Sequence, residues 1–225
     1  MPLEPLLLSF LVAGVSTLLV VVLGLPLARW FARHQGPGAR LLDALATAPL
    51  VLPPVVTGYY LLVLFGPHGP IGRLLEATGG PRVVFHWSGA VLASAVVAFP
   101  LFVRSARAAL ETVPAGYLEA SSTCGAGPWR TFLRVHLPMA APGVMAGALL
   151  AFARGLGEFG ATVMVAGNIP GRTQTLPLAI YEAVFSGNLR EANLMVGVVT
   201  ALAVVLLISA DRLQARAARA SRERT

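Results

Sequence analysis

The chain has 225 residues, of which 56% are apolar and 12% charged, with a formal net charge of +7. A soluble domain carries about a quarter of its residues charged, so composition argues against a water-soluble enzyme, and in so apolar a chain the distribution of the +7 matters more than its size. All 17 basic residues are arginine, which removes the lysine of a phosphate-binding Walker loop, and the single cysteine, Cys124, leaves neither an intrachain disulfide nor a Cys-rich metal site.

A bilayer core takes about 20 apolar residues per helical span, and five unbroken apolar stretches meet that length. Barrel strands would instead be short and alternating. The expectation is therefore all-α: one polytopic membrane domain over residues 1–225, a helical bundle of about five transmembrane helices. The first span is Leu6 to Leu27. It is preceded by Glu4 and followed by Arg29 and Arg33, the reverse of a signal peptide's charge order, and reads as a retained span with its N-terminus outside. The second, Leu41 to Phe65, contains Pro53-Pro54, which removes two backbone donors. In lipid the freed carbonyls need partners, so the break should face protein or a water-filled path. The third, Phe85 to Val103, carries Pro100, read as a kink.

Between spans three and four runs a stretch of about 35 residues, Arg104 to Pro138. Pro114 suits the first turn of a short helix, Gly125 the left-handed position that ends it, and Pro128 the start of another. Span four, Met139 to about Val165, carries Arg154 and Glu158 four apart on one helical face among Gly155, Gly157 and Gly160. Ionisable residues at that depth are costly and usually point inward. They read equally well as a mutually neutralising structural pair and as part of a gate. Span five, Ala192 to Ala210, precedes an arginine-rich tail that anchors it. Trp30, Trp87, Tyr59 and Tyr60 suit the membrane interface or the core. With five spans, one side takes Arg29, Arg33, Arg40, Arg104, Arg107, Arg130, Arg134 and the five tail arginines from Arg212 to Arg224, twelve in all. The other takes Arg73, Arg82, Arg172 and Arg190. This bias puts the long loop and the C-terminus in the cytoplasm.

The loop itself reads Glu119-Ala120-Ser121-Ser122-Thr123-Cys124-Gly125, and it closes with Val135-His136-Leu137-Pro138. It resembles the Glu-Ala-Ala loop of permease subunits of bacterial ATP-binding-cassette importers, with Ser121 standing where the pattern has its second Ala. The resemblance implies a coupling helix that docks in a groove of a separate cytoplasmic ATPase, carried by Glu119, Ala120, Ser121, Gly125, Leu137 and Pro138. It also implies two ATPase subunits and a second copy of this chain. No cofactor is expected on this chain, ATP and Mg being held by the ATPase.

Val51-Leu52-Pro53-Pro54-Val55-Val56 with Gly58-Tyr59, the run Phe152 to Thr162, and Gly167-Asn168-Ile169-Pro170-Gly171-Arg172-Thr173 are similar to the molybdate-transporter branch. Sulfate and thiosulfate permeases are similar around Gly157-Glu158. Some relatives carry an additional N-terminal span, for which this chain begins too close to span one. The resemblance implies a multi-pass permease of the bacterial or archaeal cytoplasmic membrane, importing an oxyanion, molybdate first and tungstate with it, from an extracytoplasmic binding protein. Pro53, Pro54, Gly58, Arg154 and Glu158 are the candidate pathway or gate. The lipid bilayer is the medium, and nucleic acid is not a partner. An intramembrane enzyme would need a nucleophile-base pair or metal ligands at one depth, and His34, His68, His86 and His136 are scattered. A stand-alone channel or secondary transporter would need no ATPase, and transporters of that kind often carry internal repeats.

Overall fold

The computed structural model describes residues 3–34 and 36–222, with side chains described through 215. Arg224, counted in the tail, lies outside the described residues, as do the side chains of Arg216, Arg219 and Arg222. Among the described residues every regular element is a helix: α1 (Leu3–Arg33), α2 (Pro37–Val51), α3 (Pro54–Phe65), α4 (Pro70–Ala77), α5 (Trp87–Glu111), α6 (Ala115–Thr123), α7 (Pro128–Thr131), α8 (Leu137–Leu156), α9 (Gly160–Ala166), α10 (Leu176–Phe185) and α11 (Leu189–Arg222). Four runs are long and apolar enough to cross a bilayer, and the bent pair of α2 and α3 makes a fifth if counted as one span.

Helix α5 is the centre. Some 67% of its apolar window is buried, against 11% for α11, because α1 and α8 pack along its length. Between helices in lipid there is little hydrophobic drive, so close contact rests on small residues. A Cβ on Gly24 of α1 would lie 2.8 Å from the Phe102 ring, and one on Gly147 of α8 would lie 2.8 Å from the Ser105 Cβ. One on Gly143 would come within 2.6 Å of the Ala109 Cβ. Gly143, Gly147 and Gly155 of α8 thus meet Ala109, Ser105 and Ser94 in turn, which makes α8 antiparallel to α5. Ser16 and Gly24 of α1 meet the levels of Ser94 and Phe102, so α1 runs parallel to it. The outward faces carry Leu7, Leu18, Leu23, Val205 and Leu207, each at least 50% exposed. An apolar surface on that scale belongs against lipid.

Several expected boundaries are corrected. Span two is two helices, α2 and α3, turned 113° from each other at Leu52 and Pro53. The proline forces Leu52 into an extended conformation, φ −69° and ψ 139°, and ends α2 there. The third helix runs beyond Val103 to Glu111, so the loop begins at Thr112 and not at Arg104. Hydropathy registers where lipid stops, whereas a helix continues until something breaks it. Here Ala106 and Leu110 stay packed in the core past Val103, the Arg107–Glu111 pair adds an i,i+4 contact at 2.8 Å, and Pro114 is the first obstacle. The fourth span ends at Leu156 and not Val165, since Gly157 to Phe159 interrupt it before α9. It also begins before Met139. Helix continues from Pro128 through a π turn at Phe132–His136 into α8, so Leu137 and Pro138 are helical. The wide turn gives Pro138, which has no N–H and crowds the preceding turn, a place it can occupy without breaking the helix. Helices α1 and α11 likewise outrun spans one and five.

The packing makes a paired forecast. Gly147→Val must push against Ser105 and Phe102 and should cost about 1–3 kcal/mol by overpacking, whereas Gly14→Ala, with nothing within 4 Å of the added Cβ, should be neutral or stabilising by up to about 1 kcal/mol. Thermal melting of the purified, detergent-solubilised chain measures both.

Candidate functional site

Two helix breaks face each other. Gly160, the first residue of α9, sits in a tight place: a Cβ there would stand 3.0 Å from the Pro54 Cβ and 3.3 Å from the Val55 nitrogen. One turn further, a Cβ on Gly58 would lie 2.7 Å from the Ala161 Cα and 2.8 Å from the Met164 Cβ. The two glycines bring the start of α3 against the start of α9, and Leu61, Ala93, Val97, Ala161 and Val165 close the apolar core beneath. Gly58 is thus a packing residue, and Pro53 and Pro54 form the turn beside it.

Glu158 stands in the second break, 2% exposed. Its Oε2 lies 2.7 Å from Nη1 of Arg154, and its Oε1 accepts the N–H of Ala161 at 2.8 Å. One carboxylate therefore neutralises a cation on α8 and satisfies a free donor in the first turn of α9. The Arg154 side chain is 32% exposed, so the pair is buried on one side only. The two residues meet as expected, but Glu158 lies past the end of α8, so they do not share one regular helical face. Thr57 of α3 and Thr162 of α9 add buried hydroxyls without a hydrogen-bond partner among the described residues, two polar groups that sequence reasoning passed over as ordinary span residues.

The second feature is the loop. Pro114 opens α6, and Gly125 closes it at φ +78°. The N–H of Ala126 reaches the Ser121 carbonyl at 3.1 Å and that of Gly125 the Ser122 carbonyl at 3.0 Å, the paired closure of a Schellman cap. Pro128 then opens α7. Glu119, Ala120, Ser122, Thr123 and Cys124 are exposed, whereas Ser121 turns inward and its Oγ lies 3.0 Å from the Thr131 Oγ1. Leu137 and Pro138 sit apart from this surface, at the foot of α8.

Sequence reasoning also missed α10 and its fastening. The N–H of Leu176 donates to Ser9 Oγ of α1 at 2.7 Å, and Asn168 and Gln174 both donate to Glu182. Nor did it foresee that Asp43 of α2 pairs with Arg107 of α5 at 3.5 Å. The Ser9 and Asp43 contacts have no local signal, since each joins residues far apart in the chain.

Residues 20–223 match the family described as binding-protein-dependent transport system inner membrane component. The chain is 44% identical over 223 residues to the molybdenum transport system permease protein ModB of Escherichia coli strain K12, covering 98% of this chain and 95% of that one. It is 46% identical over 184 residues to the putative molybdenum transport system permease protein YvgM of Bacillus subtilis strain 168, covering 82% and 81%. Against the sulfate transport system permease protein CysT of Escherichia coli strain K12 the identity is 36% over 208 residues, 92% of this chain and 75% of that one. In fold it is similar to the inward-facing MetNI methionine ABC transporter, with a TM-score of 0.71 at 20% identity over 96% of this chain and 95% of that one.

Removing one member of an ion pair leaves the other stranded, and the stranded group is worse off where burial is deeper. Arg154→Ala leaves Glu158 buried and charged and should destabilise the chain by about 3 kcal/mol or more. Glu158→Gln keeps an acceptor for Ala161 and leaves only a part-exposed arginine, and should cost less. The double variant Arg154→Ala, Glu158→Gln should recover part of the loss. Melting temperatures of the three purified proteins rank them, and an Arg154→Ala protein as stable as the double variant would refute the pairing.

Proposed function

The chain belongs to the family of binding-protein-dependent transport system inner membrane components, and on that premise we propose that it is the membrane-spanning subunit of an ATP-driven importer of molybdate, with tungstate as a second oxyanion. What carries the substrate is identity of 44% along nearly the whole chain to a molybdenum transport permease. The weaker similarity to a sulfate permease keeps sulfate or thiosulfate as the second reading.

In this reading the exposed face of α6, with Glu119, Ala120 and the turn at Gly125, docks on a cytoplasmic ATPase, and Ser121, Leu137 and Pro138 shape the base that carries it. ATP and Mg are held by that ATPase and the chain is not itself an enzyme. Two ATPase subunits offer two grooves, and each copy of this chain has one such loop, so the working assembly holds two copies. The N-terminus is outside and the arginine-rich C-terminus cytoplasmic, as the twelve-to-four arginine distribution supports. An extracytoplasmic binding protein delivers the oxyanion. It passes beside the facing breaks of α2/α3 and α8/α9, where irregular backbone is tolerated because it lines protein or a path. Pro53, Pro54 and Gly58 set that path's shape, and the exposed side of the Arg154–Glu158 pair gives it one cation that an anion can meet. Docking and release of the ATPases rock the spans between outward and inward access.

Reconstitution with the ATPase and binding protein tests the substrate. Molybdate should stimulate ATP hydrolysis severalfold and sulfate little. Equal stimulation by both would shift the assignment to a general oxyanion importer.

Gly125→Val tests the docking face. A Cβ there meets nothing within 4 Å in this chain, so the intrachain obstacle is the φ of +78°, worth about 1–2 kcal/mol of strain for a β-branched residue. The spans insert by hydropathy, so membrane levels should stay normal while ATPase association weakens and uptake falls. Gly125→Asn, which tolerates this conformation, should retain more of both. Normal uptake by the Val variant would refute the assignment of α6.

A further inference from the structure

Beside the loop, one arginine ties the end of α1 to α7 and the π turn that follows it. Arg29 lies in the last turns of α1, and its Nη2 donates to the Pro128 carbonyl at 2.9 Å, across 99 residues of sequence. Its Cζ stands 4.2 Å from the centroid of the Phe132 ring and 5.1 Å from that of Trp129. A guanidinium is suited to this because it stacks on aromatic faces while its fork still donates. Phe132 in turn meets the His136 ring edge to face at 6.0 Å, and His136 Nε2 lies 3.0 Å from the Leu110 carbonyl at the end of α5. On the other side, the Ser121–Thr131 contact joins α6 to α7. The feet of α1 and α5 are thereby fastened to α7 and the π turn, the segment that follows α6 directly.

We infer that Arg29 is a positioning residue for transport, a clasp that makes α1 follow displacement of the α6–α7 segment. The inference rests on the reading of α6 as the ATPase-docking element. Arg29 is not needed to hold the fold. Phe31, 1% exposed, packs the same end of α1 into the core with Phe102, Leu110 and Phe132, so its removal should loosen a linkage and leave the bundle intact.

The test uses the complex of this chain with its ATPase and binding protein in proteoliposomes. Arg29→Ala should keep ATPase association and hydrolysis while the oxyanion moved per ATP falls about tenfold. Arg29→Lys keeps the charge over the rings but not the fork, and should fall between. Spin labels at His34→Cys and Arg130→Cys, in a Cys124→Ser background, read the clasp directly. Their distance should be single and unaltered by ATP in the parent chain and should broaden in Arg29→Ala. An unchanged coupling ratio, or an unchanged label distance, would overturn the inference. Failure of the parent chain to bind an ATPase would count against the transport reading instead. Measured on the chain without ATPase, the label distance still supports the clasp if Arg29→Ala broadens it and overturns it if not.

Discussion

The bundle depends on how it treats interrupted helices in a medium without water. A break inside lipid frees N–H and C=O groups that cost several kcal/mol each unless something meets them. This chain answers by setting its two breaks against each other and placing Glu158 in the second. That carboxylate serves the Ala161 N–H and the Arg154 guanidinium at once, so the cost of burying it is met on both oxygens. Neither Gly160 nor Gly58 carries a side chain: one at Gly58 would force α3 and α9 apart, and one at Gly160 would press on Pro54 and Val55. The Pro-Pro turn, the glycines and the ion pair are therefore one structural unit.

The remainder follows from α5. Its buried face is lined by Ala90, Ala93, Ser94, Ala98 and Ala106, which lets α1 come alongside in parallel and α8 in the opposite sense. The direction of α8 matters for the breaks. Because it runs back along α5 from Gly143 to Gly155, its last turn arrives beside α1 and the start of α5, and the interruption at Gly157 then delivers α9 onto α3. A glycine at each crossing, and not a large apolar interlock, sets these distances, as expected where lipid is as apolar as the side chains.

Hydropathy was a good guide to the all-helical class and the number of long apolar stretches, because burial in lipid is written in local composition. The loop was legible for a different reason: Pro114, Gly125 and Pro128 act through their own φ restrictions, and the structure has each where local chemistry puts it. Helix ends were less legible. Val103 marks the end of the long apolar run, but α5 goes on to Glu111 because Ala106 and Leu110 still pack into the core, two residues among charges that hydropathy scores as loop. Pro53 announced a break without its angle, since the 113° turn is set by what α3 packs against. The pair of Arg154 and Glu158 was found by spacing, yet the interruption between them was not, because Gly157 in an apolar run reads equally as a packing glycine. The contacts of Ser9, Arg29 and Asp43 were silent for a single reason: their partners are distant in the chain, and no periodicity encodes them.

One element joins the two parts of the candidate site. From Pro128 to Leu156 the helix is continuous, 29 residues or roughly 43 Å at 1.5 Å per residue. One end holds α6 and the Arg29 contacts, and the other ends at the break with Glu158. Between them the closest approaches to α5 are at Gly143 and Gly147, where backbone meets side chain without slack. Gly147 stands roughly 28 Å along this helix from Pro128 and roughly 14 Å from Leu156 at 1.5 Å per residue, so the close contact with α5 lies nearer the break than the foot. The Arg154–Glu158 pair, with the Ala161 N–H on its other oxygen, bridges the end of α8 and the first turn of α9. An apolar side chain in place of Glu158 would leave the Ala161 N–H and the Arg154 guanidinium without a partner at the break, which is why an ionisable residue stands at a depth where such groups are otherwise costly.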